Sequence, residues 1–269
     1  MISQQIVAQN ETVKDKTYPL SIGETIEFQS DILNEKRVIN VYLPHNYSPD
    51  SLKTYPVIYL LDGSIDEDFI HISGLVQFSS FSWINIIPET IVVGIANVDR
   101  QRDFTFHAKD KGYKKEFPTT GESESFINFI EKELQPLIEK KYKTNADRTL
   151  IGQSLGGLLA TEILFKKPEL FDNYIIVSPS LWWDNELLLE YDPKTIKTKK
   201  SIFVAVGKEG EIMEREAKGL YDKLEALNNE NTILYFKFLE DQSHGDALHL
   251  AVYSAFEKVF YVEKEKNTL

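Results

Sequence analysis

From Thr25 onward the chain alternates short apolar runs with longer runs of helical spacing. Residues 24–33 (ETIEFQSDIL) and 37–43 (RVINVYL) switch between apolar and polar side chains, the period of a strand with one face in water. Asn34-Glu35 reads as the turn between them. Residues 56–61 (PVIYLL) and 90–95 (TIVVGI) are instead continuous and rich in β-branched residues, as expected of strands covered on both faces. Further strands are predicted at 148–152, 173–177, 201–206 and 232–239, and helices at 155–167, 214–227 and 245–262. A helix over 122–141 carries Phe126, Phe129, Ile130, Leu134, Leu137 and Ile138 on one stripe, and Pro136 is expected to kink it. Strands alternating with helices of this length predict an α/β fold, a mainly parallel central sheet with helices on both faces. No linker or repeat divides it. Residues 1–20 are expected to be an N-terminal arm, loosely held over 1–15, ahead of a single domain at 21–269.

Composition narrows the chemistry. The chain has 269 residues and no cysteine, which excludes disulfides, thiolate metal sites and a cysteine nucleophile. Its 30 Lys+Arg stand against 42 Asp+Glu, a formal charge of −12 that disfavours nucleic-acid and anionic-membrane partners. The first twenty residues lack a basic leader with an apolar run, so the chain as it stands is expected in the cytoplasm, or in the periplasm or outside the cell if a leader has been removed.

The sharpest local signal is Gly152-Gln153-Ser154-Leu155-Gly156, set between a strand and a helix. In that setting Ser154 sits on a tight elbow at the carboxyl edge of the sheet, and flanking glycines avoid collisions. The plain alternative is that Ser154 only caps the helix. A serine hydroxyl needs a base. Of five histidines, His244 alone lies in a loop directly after a strand and before the last helix; His45, His71 and His107 sit in earlier connections and His249 on a helix face. The loop after residue 206 offers Glu209 or Glu211 to orient the imidazole, with Glu209 nearer the strand end. Glu214 and Glu216 fit the following helix and are expected to be solvated.

An oxyanion requires N–H donors. Leu155, after the serine, supplies one amide, and the turn Asp62-Gly63-Ser64 offers Ser64 as the second. Asp62 alternatively reads as an acidic turn residue. Arg100, Arg102 and Asp103 follow a buried strand, where they either meet a polar substrate group or pair to lock the loop. Trp182 and Trp183 follow the next strand, where an indole lines the acyl or alcohol pocket or one of the two packs the core.

Taken together, RVINVYLP, YPVIYLLDG, VVGIANVDRQRDFT, FINFIEKELQPLIEKKY, IGQSLGGLLATEIL, VSPSLWWDN, VAVGKEG and the SHG box resemble the Putative esterase family of α/β-hydrolases, which includes esterase D, enterochelin (siderophore) esterases and the mycolyltransferase antigens. The resemblance runs from about Glu24 to Phe260. It implies Ser154 as nucleophile, Glu209 as acid and His244 as base, in the chain order of that fold. It further implies Ser64 and Leu155 as oxyanion amides, while Asp62, Arg100 and Trp183 are the candidate substrate contacts by their places after strand ends. Gln153 departs from the histidine or tyrosine common in relatives. The implied activity is carboxylic ester hydrolysis of a small molecule, on siderophore or carbohydrate-acyl esters, with no cofactor or metal, by a monomer or homodimer. Two rivals are acyl transfer to a sugar or alcohol and a non-catalytic binding protein on the same fold.

Overall fold

The computed structural model describes residues 16–260; the expected loose arm at 1–15 lies outside the described residues. Eight strands form one sheet: β1 (Gly23–Ser30), β2 (Glu35–Tyr42), β3 (Tyr55–Leu60), β4 (Ile91–Ile95), β5 (Thr144–Gln153), β6 (Asn173–Val177), β7 (Lys200–Gly207) and β8 (Thr232–Leu239). Their order is β1-β2-β4-β3-β5-β6-β7-β8. β2 runs antiparallel to β1 and β4, and all other neighbours are parallel. The two kinds of strand pattern thus mark two parts of the sheet. The alternating strands form the antiparallel edge, and the continuous ones the doubly covered centre, where β3, β4 and β6 are buried at every position. Asn34 turns the β1–β2 hairpin with a positive φ of 51°. Pro56 is tolerated inside a central strand because the β3–β5 register shifts between Tyr55 and Val57.

The helices are α1 (Phe69–Ser79), α2 (Arg100–Phe104), α3 (Lys111–Glu116), α4 (Ser123–Phe129), α5 (Gln135–Lys141), α6 (Leu155–Lys166), α7 (Leu187–Glu190), α8 (Glu211–Ala226) and α9 (Ala247–Val259). Two buried clusters flank the sheet. The larger gathers the α4–α5 stripe, α6 and α8 on one face, and the smaller gathers α1 and α9 on the other. Pro136 does interrupt the 122–141 helix. Between α4 and α5 lies a π-helical turn, Ile130–Leu134, a widening that accommodates the missing N–H and the ring of Pro136. Among the described residues no helix is long and apolar enough to cross a membrane.

Three sequence expectations are corrected. His71 lies in a helix, α1, and its ring packs edge-on against His249 of α9, with centroids 6.4 Å apart. Trp183 is core: it is 1% exposed, Nε1–H donates to the Phe106 carbonyl at 3.0 Å, and Tyr113 packs on it edge-on. Trp182 beside it keeps part of its surface open.

Glu216, expected in solvent, is also buried. The turn of α8 that exposes Arg215 points Glu216 inward, under the Trp182 backbone, without a well-formed hydrogen bond. Desolvation, with Glu186 adding repulsion, pushes its carboxyl up to about 7. A carboxyl raised on folding binds its proton more tightly in the native state. Its contribution is therefore intact at low pH and is lost as pH rises from about 4.5 through about 7. Glu216→Gln should raise Tm at pH 8 by a few degrees and leave Tm at pH 4.5 almost unchanged. An equal Tm shift at both pH values in a calorimetric scan would contradict this.

Candidate active site

Ser154 stands between β5 and α6 with φ 59° and ψ −121°, a strained conformation for a residue with a side chain. The elbow is pinned on two sides: Ser154 N–H donates to the Val177 carbonyl at 3.1 Å, and the Ser154 carbonyl accepts from the Ser180 N–H at 3.0 Å. Gly152 is required by close approach, because a Cβ there would lie 2.4 Å from the Gly156 carbonyl oxygen. At Gly156 a Cβ would lie 3.3 Å from Asp62 Oδ2, a tight contact rather than a collision. Ser154 Oγ lies 3.3 Å from Ser180 Oγ, and no hydrogen bond joins it to His244 in this structure. As the first residue of α6, Leu155 presents an N–H without an intrahelical acceptor, at the positive end of the helix dipole.

Glu209 and His244 are brought together. The β7–α8 loop and the β8–α9 loop meet where Lys208 N–H donates to the Gln242 carbonyl at 2.7 Å. There His244 Nδ1 lies 2.6 Å from Glu209 Oε2. The imidazole is 47% exposed, whereas the carboxylate is 2% exposed. Glu209 Oε1 accepts from the Ser178 hydroxyl and, at 2.9 Å, from the Gly207 N–H. Burial pushes the Glu209 carboxyl up, but the hydrogen bonds from His244, Ser178 and Gly207 outweigh it and hold the group below the ordinary carboxylate range. Gln153 Nε2 donates to the His244 carbonyl at 2.5 Å, tying the elbow to the histidine loop. Glu211 is the exposed first residue of α8 and does not enter the site. Glu214 does contribute, contrary to its expected solvation, by accepting the N–H groups of Glu209 and Gly210, each at 3.0 Å.

The turn after β3 is built differently from its sequence reading. Gly63 is needed for packing between strands, since a Cβ there would lie 2.3 Å from Gly94 Cα. Ser64 N–H points to Glu67 Oε2 at 3.4 Å. Asp62 is buried and its carboxylate is fully engaged. It takes Arg100 Nε at 2.6 Å, Arg100 Nη2 at 2.9 Å and Asn97 Nδ2 at 2.7 Å. Arg100 Nη2 continues to the Gln153 carbonyl at 3.3 Å. These two residues therefore brace the turn against the elbow, with the Arg100 side chain still 33% exposed. Arg102 and Asp103 pair with each other at 2.8 Å. Among the described residues no cluster of three or more His, Asp or Glu is arranged to hold a metal ion.

Ser178 and Ser180 were missed by sequence reasoning. Their segment, SPSLWW, drew attention only to its tryptophans, although two serines around a proline at a strand end are a turn signal in their own right.

The family model described as "Putative esterase" matches residues 30–245. Ferri-bacillibactin esterase BesA of Bacillus subtilis (strain 168) is 30% identical over 241 residues, 81% of this chain and 83% of the relative. An IroE-like serine hydrolase from Shewanella oneidensis has the same architecture, with a TM-score of 0.78 and 32% identity over 88% of this chain and 80% of its own. The BES protein from Bacillus cereus gives 0.79 and 30%, covering 94% of this chain and 100% of its own. With that match across the sheet and the elbow, the chain belongs to the Putative esterase family and is a carboxylic ester hydrolase of the α/β-hydrolase fold.

Proposed function

We propose that this protein is a serine esterase of siderophore-type esters, with Ser154 as nucleophile, His244 as base and Glu209 as the acid that orients it. The observation that carries the mechanism is the 2.6 Å contact of Glu209 with His244 Nδ1, across the histidine loop tied to the strained Ser154 elbow. A carboxylate on Nδ1 fixes the proton there and leaves the Nε2 lone pair free. Ser154 Oγ, held by the Ser180 hydroxyl as acceptor, turns its own proton to Nε2, loses it to the ring and attacks the ester carbonyl. Negative charge on the carbonyl oxygen collects against the Leu155 N–H and against the Ser64 N–H, which the substrate oxygen takes over from Glu67. The carbon–oxygen bond of the ester breaks, and the alcohol leaves with the proton from Nε2. Water, deprotonated by the same nitrogen, then cleaves the acyl-serine and restores the enzyme.

The substrate class is supported by the relatives. BesA is named for ferri-bacillibactin, and an Aspergillus fumigatus protein 35% identical over 115 residues is named a siderophore triacetylfusarinine C esterase. A fluorophosphonate probe should attach one phosphonyl group per chain, recovered by peptide mapping on the peptide holding Ser154. A label elsewhere, or none, rejects the mechanism. With a cyclic catecholate trilactone, kcat/KM should exceed that with p-nitrophenyl butyrate at least about tenfold. The reverse order would reject the substrate class and leave the mechanism standing.

A further inference from the structure

The turn that follows β6 reaches two members of the proposed triad at once. Ser178 is fully buried and adopts φ 44°, a region that residues with side chains rarely occupy. Its N–H is fixed on the Ala205 carbonyl of β7 at 2.7 Å, and its hydroxyl donates to Glu209 Oε1. Because Gly207 N–H shares that oxygen, Oε2 is left for His244 alone. Two residues on, Ser180 is 3% exposed; its N–H holds the Ser154 carbonyl and its hydroxyl lies 3.3 Å from Ser154 Oγ. Pro179 between them fixes one backbone dihedral.

Building on the serine-esterase mechanism above, we propose that Ser178 and Ser180 are the positioning residues of this site, Ser178 acting through Glu209 and Ser180 through Ser154. Neither needs to touch substrate. A carboxylate anchored by two donors on one oxygen cannot rotate, so its second oxygen stays aimed at the imidazole. Without the Ser178 hydroxyl only the Gly207 N–H restrains it. The groups that face Glu209 are His244 from the β8–α9 loop, Ser178 from the β6 turn, Gly207 from β7 and Glu214 from α8, the last engaged by the Glu209 and Gly210 N–H groups. Loss of one donor leaves the Glu209 charge less well stabilised, and its carboxyl then takes up a proton at higher pH than in the wild type.

The test is p-nitrophenyl butyrate hydrolysis across pH by Ser178→Ala, Ser178→Gly and Ser180→Ala, each alone and on a Glu209→Gln background. Ser178→Ala should lower kcat about tenfold with KM within about twofold, and move the acidic limb of the profile to higher pH. On the Glu209→Gln background it should cost less than about a further twofold, because its route to the imidazole is already cut. Ser178→Gly relieves the backbone and lacks the hydroxyl, so it should match Ser178→Ala in rate and keep the comparison intact if the alanine variant folds poorly. Ser180→Ala should cost about threefold to tenfold on either background. The same tenfold loss from Ser178→Ala on both backgrounds, an unmoved acidic limb, or wild-type kcat in Ser178→Gly would overturn the role of Ser178. Wild-type kcat in Ser180→Ala would overturn that of Ser180. Failure of the underlying mechanism is seen separately, as full activity in Glu209→Gln and Ser154→Ala.

Discussion

Ser154→Ala should lower kcat for p-nitrophenyl butyrate by roughly a thousandfold or more while changing KM about twofold at most. In the proposed mechanism the hydroxyl supplies the oxygen that becomes acylated, and Ser154 carries the only hydroxyl of the elbow residues 152–156, which Gln153 ties to the His244 loop. On the proposed mechanism the donor set at Leu155 and Ser64 survives the substitution and still favours attack by water, so a small residual rate is expected. The same position makes a second, opposite prediction for stability. With φ 59° and ψ −121° the residue carries backbone strain on the order of 1–3 kcal/mol. Ser154→Gly removes that strain and the nucleophile together. It should be inactive yet more stable than Ser154→Ala by about 1 kcal/mol in urea unfolding. A protein that binds esters without cleaving them would show no rate to lose. Wild-type turnover in Ser154→Ala would remove Ser154 from the mechanism altogether.

The elbow was readable because its chemistry is local: a strand, a serine between glycines and a helix all fall within consecutive residues. The contact of Glu209 with His244 could be anticipated for a related reason, since each follows a strand whose end the periodicity marks. The turn after β6 was not readable, because the targets of its hydroxyls lie 31 and 26 residues away along the chain. α1 was obscured differently: its buried positions Phe69, Ile72, Ser73, Val76 and Ser79 keep helical spacing, but two are serines and apolar Ile70 and Phe78 lie on the exposed side, which blurs the stripe. Trp183 and Glu216 show the limit from the other side. Residue type predicts exposure on average, but α8 turns Glu216 inward, and the Phe106 segment and Tyr113 of α3 close over Trp183. For Arg100 the sequence left substrate binding and structural pairing both open, and its pairing with Asp62, 38 residues away, is visible only in the fold.

Arg37 illustrates how such pairing translates into stability, and Asp103→Ala should cost about 3–5 kcal/mol. The period of β2 puts Arg37 on the same face as Ile39 and Val41, so its guanidinium enters the core and is 0% exposed. There it rests over the Phe126 and Phe129 rings, with centroids 5.1 and 5.5 Å away. It donates to Asp103 Oδ2 at 2.8 Å, to Glu35 Oε1 at 2.9 Å and to the Ala96 carbonyl at 3.1 Å. Asp103 is equally buried, and Arg102 closes the group by bridging Asp103 to Glu35. Removing the Asp103 carboxylate leaves a desolvated cation with only Glu35, itself shared with Arg102, and the Ala96 carbonyl, which is why the expected loss far exceeds that of a surface ion pair. The midpoint of urea unfolding should fall accordingly, with Tm lower by roughly 5–10 °C. Replacing both partners, Arg37→Met with Asp103→Leu, removes the two buried charges together and leaves Arg102 paired with Glu35. The double variant should recover most of the loss, because the burial penalty disappears with the charges. A single Asp103→Ala variant within about 1 kcal/mol of wild type would mean that water or Glu35 already screens Arg37, and the core around Phe126 would then have to be wetter than its packing indicates.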